Sequence, residues 1–331
     1  MVTVIWPKQS QKSIDRPTEA DVENDWFQAT CTAALDSLDV GLQGKRRIHE
    51  LILAAVIAGG HVLIEDVPGT GKSVLAAKLA ELIGGSMSTV YFTPDILPSD
   101  LTGMSVYNRN LEEFEFARGP LFANCFLGEA LNRASPKTQS ALLSAMEAGQ
   151  ISAERRIIRL PDPFFVIAVQ NPLDEEGTYP LPQAQLDRFL LRLEIGYPPP
   201  EVEQKLIQDP QWFANRRTER ARQIDIERMK RIASNVLVAE NLARWIHAVI
   251  TATREHPATR RGASVRAART SVQLAQVWAA LGGRDYVVPD DYVAVAIPAL
   301  AHRIHLTSHA LVERITPVDV IQECLSTPLV R

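Results

Sequence analysis

Apolar positions recur between residues 26 and 200 at two alternating spacings, one typical of helices and one typical of strands. Helical spacing dominates residues 26–58 and ends at Gly59-Gly60. A short apolar run at 61–65 predicts a strand, and residues 73–83 carry apolar side chains on one face of a predicted helix. Further strands are predicted at 89–92, 124–128 and 164–169, a hairpin at 151–160, and a helix from Ser135-Pro136 to Ala148. Strands that alternate with helices in this way predict a parallel α/β sheet.

After residue 200 the spacing of apolar positions becomes almost entirely helical. The run Tyr197-Pro198-Pro199-Pro200 predicts a linker before this part, because proline clusters interrupt regular structure. Six helices are predicted beyond the linker, at 201–208, 224–236, 239–255, 267–281, 289–303 and 315–325. Residues 1–24 are polar and aperiodic, which predicts a flexible arm. The pattern therefore predicts an arm at 1–24, an α/β domain at 25–200 and a helical domain at 201–331.

The composition is that of an ordinary globular protein, and it excludes few functions. Of the 331 residues, 46% are hydrophobic and 22% are charged, so the chain can bury the cores of one large domain and a smaller one. The net charge of -4 lacks the basic excess of proteins that bind nucleic acid through its phosphates. We therefore expect no nucleic acid partner.

The cysteines and the N-terminal sequence predict a cytoplasmic protein. Cys31, Cys125 and Cys324 are scattered without CxxC spacing, which favours reduced thiols over a metal site or a disulfide framework. The N-terminus lacks the basic segment and the long apolar core of a signal peptide. The longest apolar run, at 51–60, is about half the length that a membrane span needs. We expect no stable membrane insertion.

A glycine-rich loop between the first predicted strand and its helix carries the clearest chemical signal. The loop reads Gly69-Thr70-Gly71-Lys72-Ser73. Glycines let backbone N–H groups surround phosphate oxygens, a lysine reaches the β- and γ-phosphates, and a serine hydroxyl binds Mg²⁺. The N-terminus of the following helix adds a partial positive charge. The sequence therefore predicts binding of ATP or ADP with Mg²⁺. The candidate nucleotide-binding residues are Pro68, Gly69, Thr70, Gly71, Lys72, Ser73 and Val74.

One position of this loop departs from the usual pattern. Six residues before Lys72 a glycine is expected, and Asp66 stands there instead. A carboxylate near a polyphosphate is unfavourable unless it points away or meets a cation. We expect nucleotide binding to survive, with weaker affinity.

Further motifs occur in a fixed order along both predicted domains. They are Phe92-Thr93-Pro94-Asp95-Ile96-Leu97-Pro98-Ser99-Asp100, Asn132-Arg133-Ala134, Pro136-Lys137-Thr138-Gln139, Gln170-Asn171-Pro172, Glu176-Gly177-Thr178-Tyr179-Pro180-Leu181-Pro182, Gln185-Leu186-Asp187-Arg188-Phe189 and Gly262-Ala263-Ser264-Val265-Arg266. Together they resemble the MoxR branch of the AAA+ ATPases over about residues 30–310. The resemblance implies an AAA+ nucleotide-binding domain at 25–200 with a helical lid at 201–331. It also implies a homo-oligomeric ring, commonly a hexamer, that works as a chaperone or maturation factor on a protein client. Such proteins often act beside a von Willebrand factor A domain protein.

The resemblance implies roles for three candidate catalytic residues. Asn171 matches the sensor that orients the attacking water at the γ-phosphate. Arg266 matches the lid arginine that contacts the γ-phosphate and reports the nucleotide state. Arg188 matches an arginine finger, which stabilises the phosphoryl-transfer transition state at a neighbouring subunit's nucleotide.

The motif that binds metal and activates water departs from the family. In the family an apolar strand ends in Asp-Glu, the Asp ordering Mg²⁺ and the Glu polarising water. Aligned without a gap, Glu129 takes the Asp position and Ala130 the Glu position. Ser73 and Glu129 are then the candidate metal ligands, although the extra methylene of Glu disturbs an ion that requires oxygen ligands at about 2.0–2.1 Å. A positioned general base contributes about 10²–10⁴-fold to rate, so we expect slow hydrolysis.

Several alternatives remain open from the sequence. A slipped alignment would make Glu129 the base and put Gly128 at the metal position, at the cost of an inserted residue. Asp174, Glu175 and Glu176 follow the sensor and could supply a substitute carboxylate. The alternative functions are a nucleotide-sensing scaffold without useful turnover and a nucleic-acid remodelling motor, against which the net charge argues.

Overall fold

The described part of the chain begins with two helices and continues as alternating strands and helices. The computed structural model describes residues 19–67, 69–110, 112–153, 156–171, 177–209 and 223–327. The first helices are α1 (Glu19–Gly41) and α2 (Arg46–Ile57). The α/β part then consists of β1 (Val62–Glu65), α3 (Lys72–Leu82), β2 (Met87–Tyr91), α4 (Pro98–Thr102), β3 (Gly103–Asn108), β4 (Glu113–Arg118), β5 (Cys125–Glu129), α5 (Pro136–Ala148), β6 (Gln150–Ala153), β7 (Arg156–Arg159), β8 (Phe165–Gln170), α6 (Gln183–Leu186) and β9 (Leu191–Leu193).

Five strands form one parallel sheet in the order β2-β5-β8-β1-β9. The central strands β5, β8 and β1 are apolar and buried, as expected for parallel strands that are covered on both faces. The predicted parallel α/β sheet is therefore confirmed. Because parallel strands end at the same side, Glu65, Glu129 and Gln170 lie together at the carboxyl end of the sheet, beside the glycine-rich loop that follows β1.

Two apolar cores cover the two faces of the sheet. On one face Ile64 and Leu75 belong to a core that continues through α1 and α2 into the helices beyond residue 223. On the other face Leu63, Phe126 and Leu142 belong to a smaller core between the sheet and α5. The alternation of Leu63 and Ile64 between the cores follows from the two-residue period of a strand.

The second half of the described chain is helical, as predicted. Its elements are α7 (Pro200–Gln208), α8 (Ile226–Ser234), α9 (Glu240–Glu255), β10 (Thr259–Arg261), α10 (Val265–Leu281), α11 (Pro289–Leu300), β11 (His305–Leu306), α12 (Ser308–Val312) and α13 (Pro317–Leu325). Serine and threonine N-caps begin three of the helices, because the side-chain oxygens of Ser264, Thr307 and Thr316 accept from Ala267 N, Ala310 N and Asp319 N respectively. Among the described residues, none of the helices combines the length and the apolar character that crossing a membrane would require.

The two opening helices join the α/β part to the helical part. Arg47 of α2 donates a 2.7 Å hydrogen bond to the carbonyl of Ala294 in α11, and its guanidinium lies 4.0 Å from the ring centroid of Trp278 in α10. The guanidinium of Arg228 in α8 stacks at 3.9 Å over Trp26 of α1. These contacts and the shared core fix the helical domain against the sheet.

Several elements differ from the sequence prediction. Helix α1 begins at Glu19, inside the segment predicted as an arm, whose residues 1–18 lie outside the described chain. The helical stretch at 26–58 divides at residues 42–45 into two helices. The β3–β4 hairpin was not predicted, since its strands are largely exposed and carry no clear apolar period. Gly103 opens the hairpin at φ +90, where a Cβ would lie 2.2 Å from the Ala117 carbonyl oxygen.

Candidate functional site

The loop after β1 has the backbone geometry of a phosphate cradle. Gly69 and Gly71 have φ of +87 and +88, a left-handed conformation that glycine adopts readily. Gly71 caps α3, which begins at Lys72, so the N-terminus of that helix faces the loop. Apart from the residues next to it in the chain, no described residue has an atom within 4 Å of a Cβ built on Gly69, which leaves that side of the loop open to an anion. Pro68, also predicted to bind nucleotide, lies outside the described residues.

The side chain of Lys72 lies inside this loop. Lys72 is only 5% exposed, and its ammonium group donates to Val67 O at 2.6 Å and to Thr70 Oγ1 at 3.0 Å. Burial lowers the pKa of Lys72, while the carboxylates of Asp66 and Glu129 oppose that lowering. The loop therefore holds a desolvated cation at the place where phosphate oxygens are expected.

The carboxylate of Asp66, the departure noted in the sequence, is held by two backbone N–H groups at the start of the loop. Its Oδ1 accepts from Val67 N at 2.8 Å, and its Oδ2 accepts from Gly196 N at 2.9 Å. Gly196 follows β9, so Asp66 ties the start of the phosphate loop to the end of a neighbouring strand. The expected conflict with a polyphosphate is thereby reduced, and Asp66 acts as an anchor of the loop.

Replacing this anchor should destabilise the fold. Asp66→Ala leaves two backbone N–H groups without acceptors, and we expect the free energy of unfolding in urea to fall by about 1–3 kcal/mol. Asp66→Asn keeps one carbonyl acceptor, so its free energy of unfolding should lie between those of the native chain and the alanine variant. An alanine variant as stable as the native chain would contradict this role.

The two predicted metal ligands lie in contact. Ser73 Oγ donates to Glu129 Oε1 at 3.0 Å, which joins the second residue of α3 to the last residue of β5. A hydroxyl and a carboxylate are ligands that Mg²⁺ accepts. Across the described residues, no group of three or more His, Cys, Asp or Glu side chains is arranged to hold a metal. The pair would need phosphate oxygens and water to complete a coordination shell.

The residues around Glu129 favour the alignment without a gap. A Cβ on Gly128 would meet the Phe92 ring at 2.8 Å, so this position faces the core on the α5 side, away from Ser73. Glu129 faces Ser73, as a metal ligand should. Ala130 follows in a left-handed conformation with φ 57 and offers no carboxylate.

A neighbouring carboxylate at the carboxyl end of the sheet is already bonded. Glu65 Oε1 accepts from Gln170 Nε2 at 2.5 Å, and Glu65 Oε2 lies 3.4 Å from Arg192 Nη1. The acidic residues at 174–176, considered as substitutes for the missing base, lie outside the described residues.

Asn171 follows β8 directly, and the backbone N–H of Asp66 donates to the preceding Gln170 carbonyl at 3.1 Å. The predicted sensor is therefore carried by the strand next to the phosphate loop.

Arg188 and Arg266 are brought together, but away from the phosphate loop of their own chain. Both contact Glu147 at the end of α5, Arg188 Nη2 at 3.0 Å from Oε2 and Arg266 Nη2 at 3.0 Å from Oε1. They line a cavity of about 550 Å³, together with Gly60 and His61. These two residues precede β1, whereas the phosphate loop follows it, so the cavity lies at the amino end of the sheet.

We call this cavity the arginine pocket, lined by Glu147, Asp187, Arg188, Arg266, Arg269 and Arg303 among others. Sequence reasoning did not single out Glu147, which has no motif of its own. Its position in the last helical turn before Gly149, where a carboxylate opposes the helix dipole, was the only available signal. The structure places Arg266 at the end of the sheet opposite the phosphate loop of its own chain, and its contact with a γ-phosphate stays a prediction.

The segment that carries Arg188 is fastened to the helical domain. Arg303, whose side chain is 2% exposed, donates to Phe189 O at 2.7 Å and lies 3.4 Å from Asp187. Ser264 Oγ donates to the same Asp187 carboxylate at 3.1 Å. Burial lowers the pKa of Arg303 to about 10, with Asp187 opposing and Arg266 adding to the shift. Arg188 and Arg266 therefore belong to one bonded arrangement that includes residues of both domains.

A second group missed by sequence reasoning is the loop between α1 and α2. A Cβ on Gly71 would lie 2.6 Å from Leu42 Cδ1, so Leu42 packs directly on the phosphate loop. Lys45 Nζ donates to Ile195 O at 2.6 Å. Gly41 and Gly44, which interrupt the helical spacing, were the available signal. This loop is positioned to form one wall of a nucleotide site.

Comparisons with known proteins agree with this geometry. The ATPase family associated with various cellular activities (AAA) matches residues 61–191, and the AAA lid domain matches residues 251–324. The uncharacterized protein YeaC of Bacillus subtilis (strain 168) is 42% identical over 295 residues, which are 88% of this chain and 92% of that protein. Chaperone MoxR1 of Mycobacterium tuberculosis (strain ATCC 25618 / H37Rv) is 38% identical over 297 residues, or 86% of this chain and 78% of that protein.

A solved structure shares most of this architecture. The crystal structure of a candidate ATPase from Cytophaga hutchinsonii has a TM-score of 0.85 and 32% sequence identity, and the match covers 94% of this chain and 98% of that one. The parallel sheet, the phosphate loop and the helical lid define an AAA+ ATPase, a class that binds nucleotide. Within that class, this chain belongs to the MoxR family.

Proposed function

We propose that this protein binds ATP with Mg²⁺, hydrolyses it slowly, and works as a ring subunit that remodels a protein client. The observation that carries the proposal is the contact of Ser73 with Glu129 beside the buried Lys72, at the open side of a glycine cradle. One relative is named a chaperone, which supports the client class. Three free, buried cysteines suit the cytoplasm, where thiols stay reduced.

The described residues fit a triphosphate and its metal. Backbone N–H groups of Gly69 to Gly71 and the ammonium of Lys72 would bind phosphate oxygens, and Ser73 with Glu129 would bind Mg²⁺. Asn171 is proposed to hold a water in line with the γ-phosphate. When bound, ATP supplies the phosphoanhydride bond whose cleavage drives the conformational cycle.

Slow hydrolysis follows from the residue after Glu129. Ala130 can neither accept a proton nor orient water, and Glu65 is occupied by Gln170 and Arg192. Because the described residues offer no other positioned general base here, we expect a rate lower by about 10²–10⁴-fold. The lack of a carboxylate at Ala130 also favours the second candidate function, a nucleotide-sensing scaffold in which nucleotide binding alone changes the subunit interface.

A ring is supported by the separation of two functional surfaces. The phosphate loop lies at the carboxyl end of the sheet and the arginine pocket at the amino end. A head-to-tail contact would bring the pocket of one subunit to the nucleotide of the next, and such contacts close into rings when the rotation permits. We propose a homo-oligomeric ring of six, in which Arg188 and Arg266 act on the neighbouring subunit's nucleotide.

The surface for a client is proposed to include the β3–β4 hairpin. Phe114 is 73% exposed, and its ring lies 5.3 Å from that of the exposed Tyr107. Exposed aromatic pairs of this kind are typical of protein contact sites. A von Willebrand factor A domain protein remains the proposed partner.

Removal of the phosphate-loop cation tests nucleotide binding. Lys72→Ala should weaken ATP affinity about 10–100-fold, because a charge-assisted hydrogen bond to phosphate contributes about 1.5–3 kcal/mol. Titration with a fluorescent ATP analogue measures the change. The matched control is Lys137→Ala, since Lys137 is an exposed lysine on α5. Equal affinity in the Lys72 variant and the native chain would refute the proposed site.

A further inference from the structure

One carboxylate joins the two domains at the arginine pocket. Each oxygen of Glu147 lies 3.0 Å from a different guanidinium, one from Arg188 after α6 and one from Arg266 on α10. The Glu147 side chain remains 44% exposed. Another anion can therefore approach the same two arginines from solvent.

The surroundings of Glu147 explain why it holds both arginines. It lies in the last turn of α5, where the negative end of the helix dipole disfavours a carboxylate. Two guanidinium groups gathered at one point also repel each other. The two guanidinium groups stabilise the Glu147 carboxylate at the helix end, and the carboxylate in turn reduces the repulsion between Arg188 and Arg266. This arrangement is formed within one subunit.

The pocket carries more positive charge than Glu147 can neutralise. Its lining includes five basic side chains and two acidic ones. The second acidic residue, Asp187, is already bound by Ser264 and lies beside Arg303. Guanidinium groups bind phosphate through paired N–H donors, and several together suit a polyphosphate.

We infer that Glu147 is the internal counterion of the arginine pocket and that it is displaced when a neighbouring subunit's nucleotide enters. The inference rests on the proposed ring. Arg188 and Arg266 are then paired with an anion in both states: with Glu147 in the isolated subunit, and with phosphate in the assembled ring. A neighbour without nucleotide offers no anion to replace Glu147, so assembly depends on bound nucleotide.

Binding of inorganic tripolyphosphate to the full chain tests the pocket directly. In a Lys72→Ala background, which disables the phosphate loop, adding Glu147→Gln should tighten tripolyphosphate binding roughly fivefold, because one competing charge is gone. Adding Arg188→Ala or Arg266→Ala should remove that gain. Glu240→Gln is the matched control, because it removes the charge of an exposed helix glutamate 3.9 Å from Arg244. Isothermal titration calorimetry gives each affinity.

Unchanged or weaker binding with Glu147→Gln overturns the inference, provided the thermal unfolding midpoint matches that of the parent chain. Glu147→Ala, with the same expected gain, replaces the glutamine variant if the latter folds poorly. In the otherwise native chain, Glu147→Gln should also lower the ATP concentration at half-assembly, measured by sedimentation. If no ring forms at any ATP concentration, the proposed function fails, and the tripolyphosphate titration still decides the role of Glu147.

Discussion

Glutamate in place of Ala130 is expected to raise steady-state phosphate release about 10²–10⁴-fold, the contribution of a positioned general base. The new carboxylate would follow Glu129, whose own carboxylate lies 3.0 Å from the Ser73 hydroxyl, and would thus lie beside the proposed metal pair. Position 130 has φ 57 in the native chain, so alanine already bears the strain of that conformation and glutamate adds little. A phosphate-release assay at saturating ATP measures the rate.

The matched control is Ala130→Gln, which adds the same length without a carboxylate. It should stay within about threefold of the native rate, since a neutral amide cannot accept the proton of water. Nucleotide affinity, measured on the same preparations, should change little in either variant. A native chain that turns over within about threefold of the glutamate variant would contradict slow hydrolysis.

Arg188→Ala, introduced together with Ala130→Glu, is expected to lower phosphate release about 10³-fold, the lower end of the effect of an arginine finger. ATP affinity of the isolated subunit should not change, because Arg188 contacts Glu147 at the amino end of the sheet, away from its own phosphate loop. Arg244→Ala is the control, since Arg244 is an exposed arginine on α9.

Mixing two inactive subunits tests whether Arg188 acts across the interface. A subunit with Lys72→Ala can still offer Arg188 to a neighbour with Arg188→Ala and an intact phosphate loop. In an equal mixture, both carrying Ala130→Glu, roughly a quarter of head-to-tail interfaces would regain a complete site. Activity that stays at the level of the separate variants would show that Arg188 does not act in this way.

Local chemistry made much of the fold predictable, and it pointed to the phosphate loop as the candidate site. The glycine conformations at Gly69 and Gly71, the Ser135 cap and the buried strands follow from short-range rules, and the structure bears them out. Ser73 and Glu129 were named as metal ligands from the loop motif and the ungapped family alignment, and the structure places them in contact. The roles of Asn171, Arg188 and Arg266 were predicted from the resemblance to the MoxR family, whose motifs occur in the same order.

Contacts over long sequence separation were not predictable. Glu147 meets Arg266 across 119 positions through the packing of two domains, and no local pattern encodes such a meeting. The direction of the Asp66 carboxylate depended on Gly196, which lies beyond β9. The exposed hairpin around Phe114 lacked the apolar period on which strand prediction depends.

The core shared by α1, α2 and the helical domain has a mechanical consequence. To swing the helical domain as a separate lobe, the chain would have to expose residues such as Ile57, Met229 and Leu274, all fully buried in that core. Exposing apolar surface costs about 25 cal/mol per Å², so a large opening within one subunit is unfavourable. We therefore expect a ring of this protein to flex at the joints between rigid subunits, each nucleotide changing the angle to its neighbour.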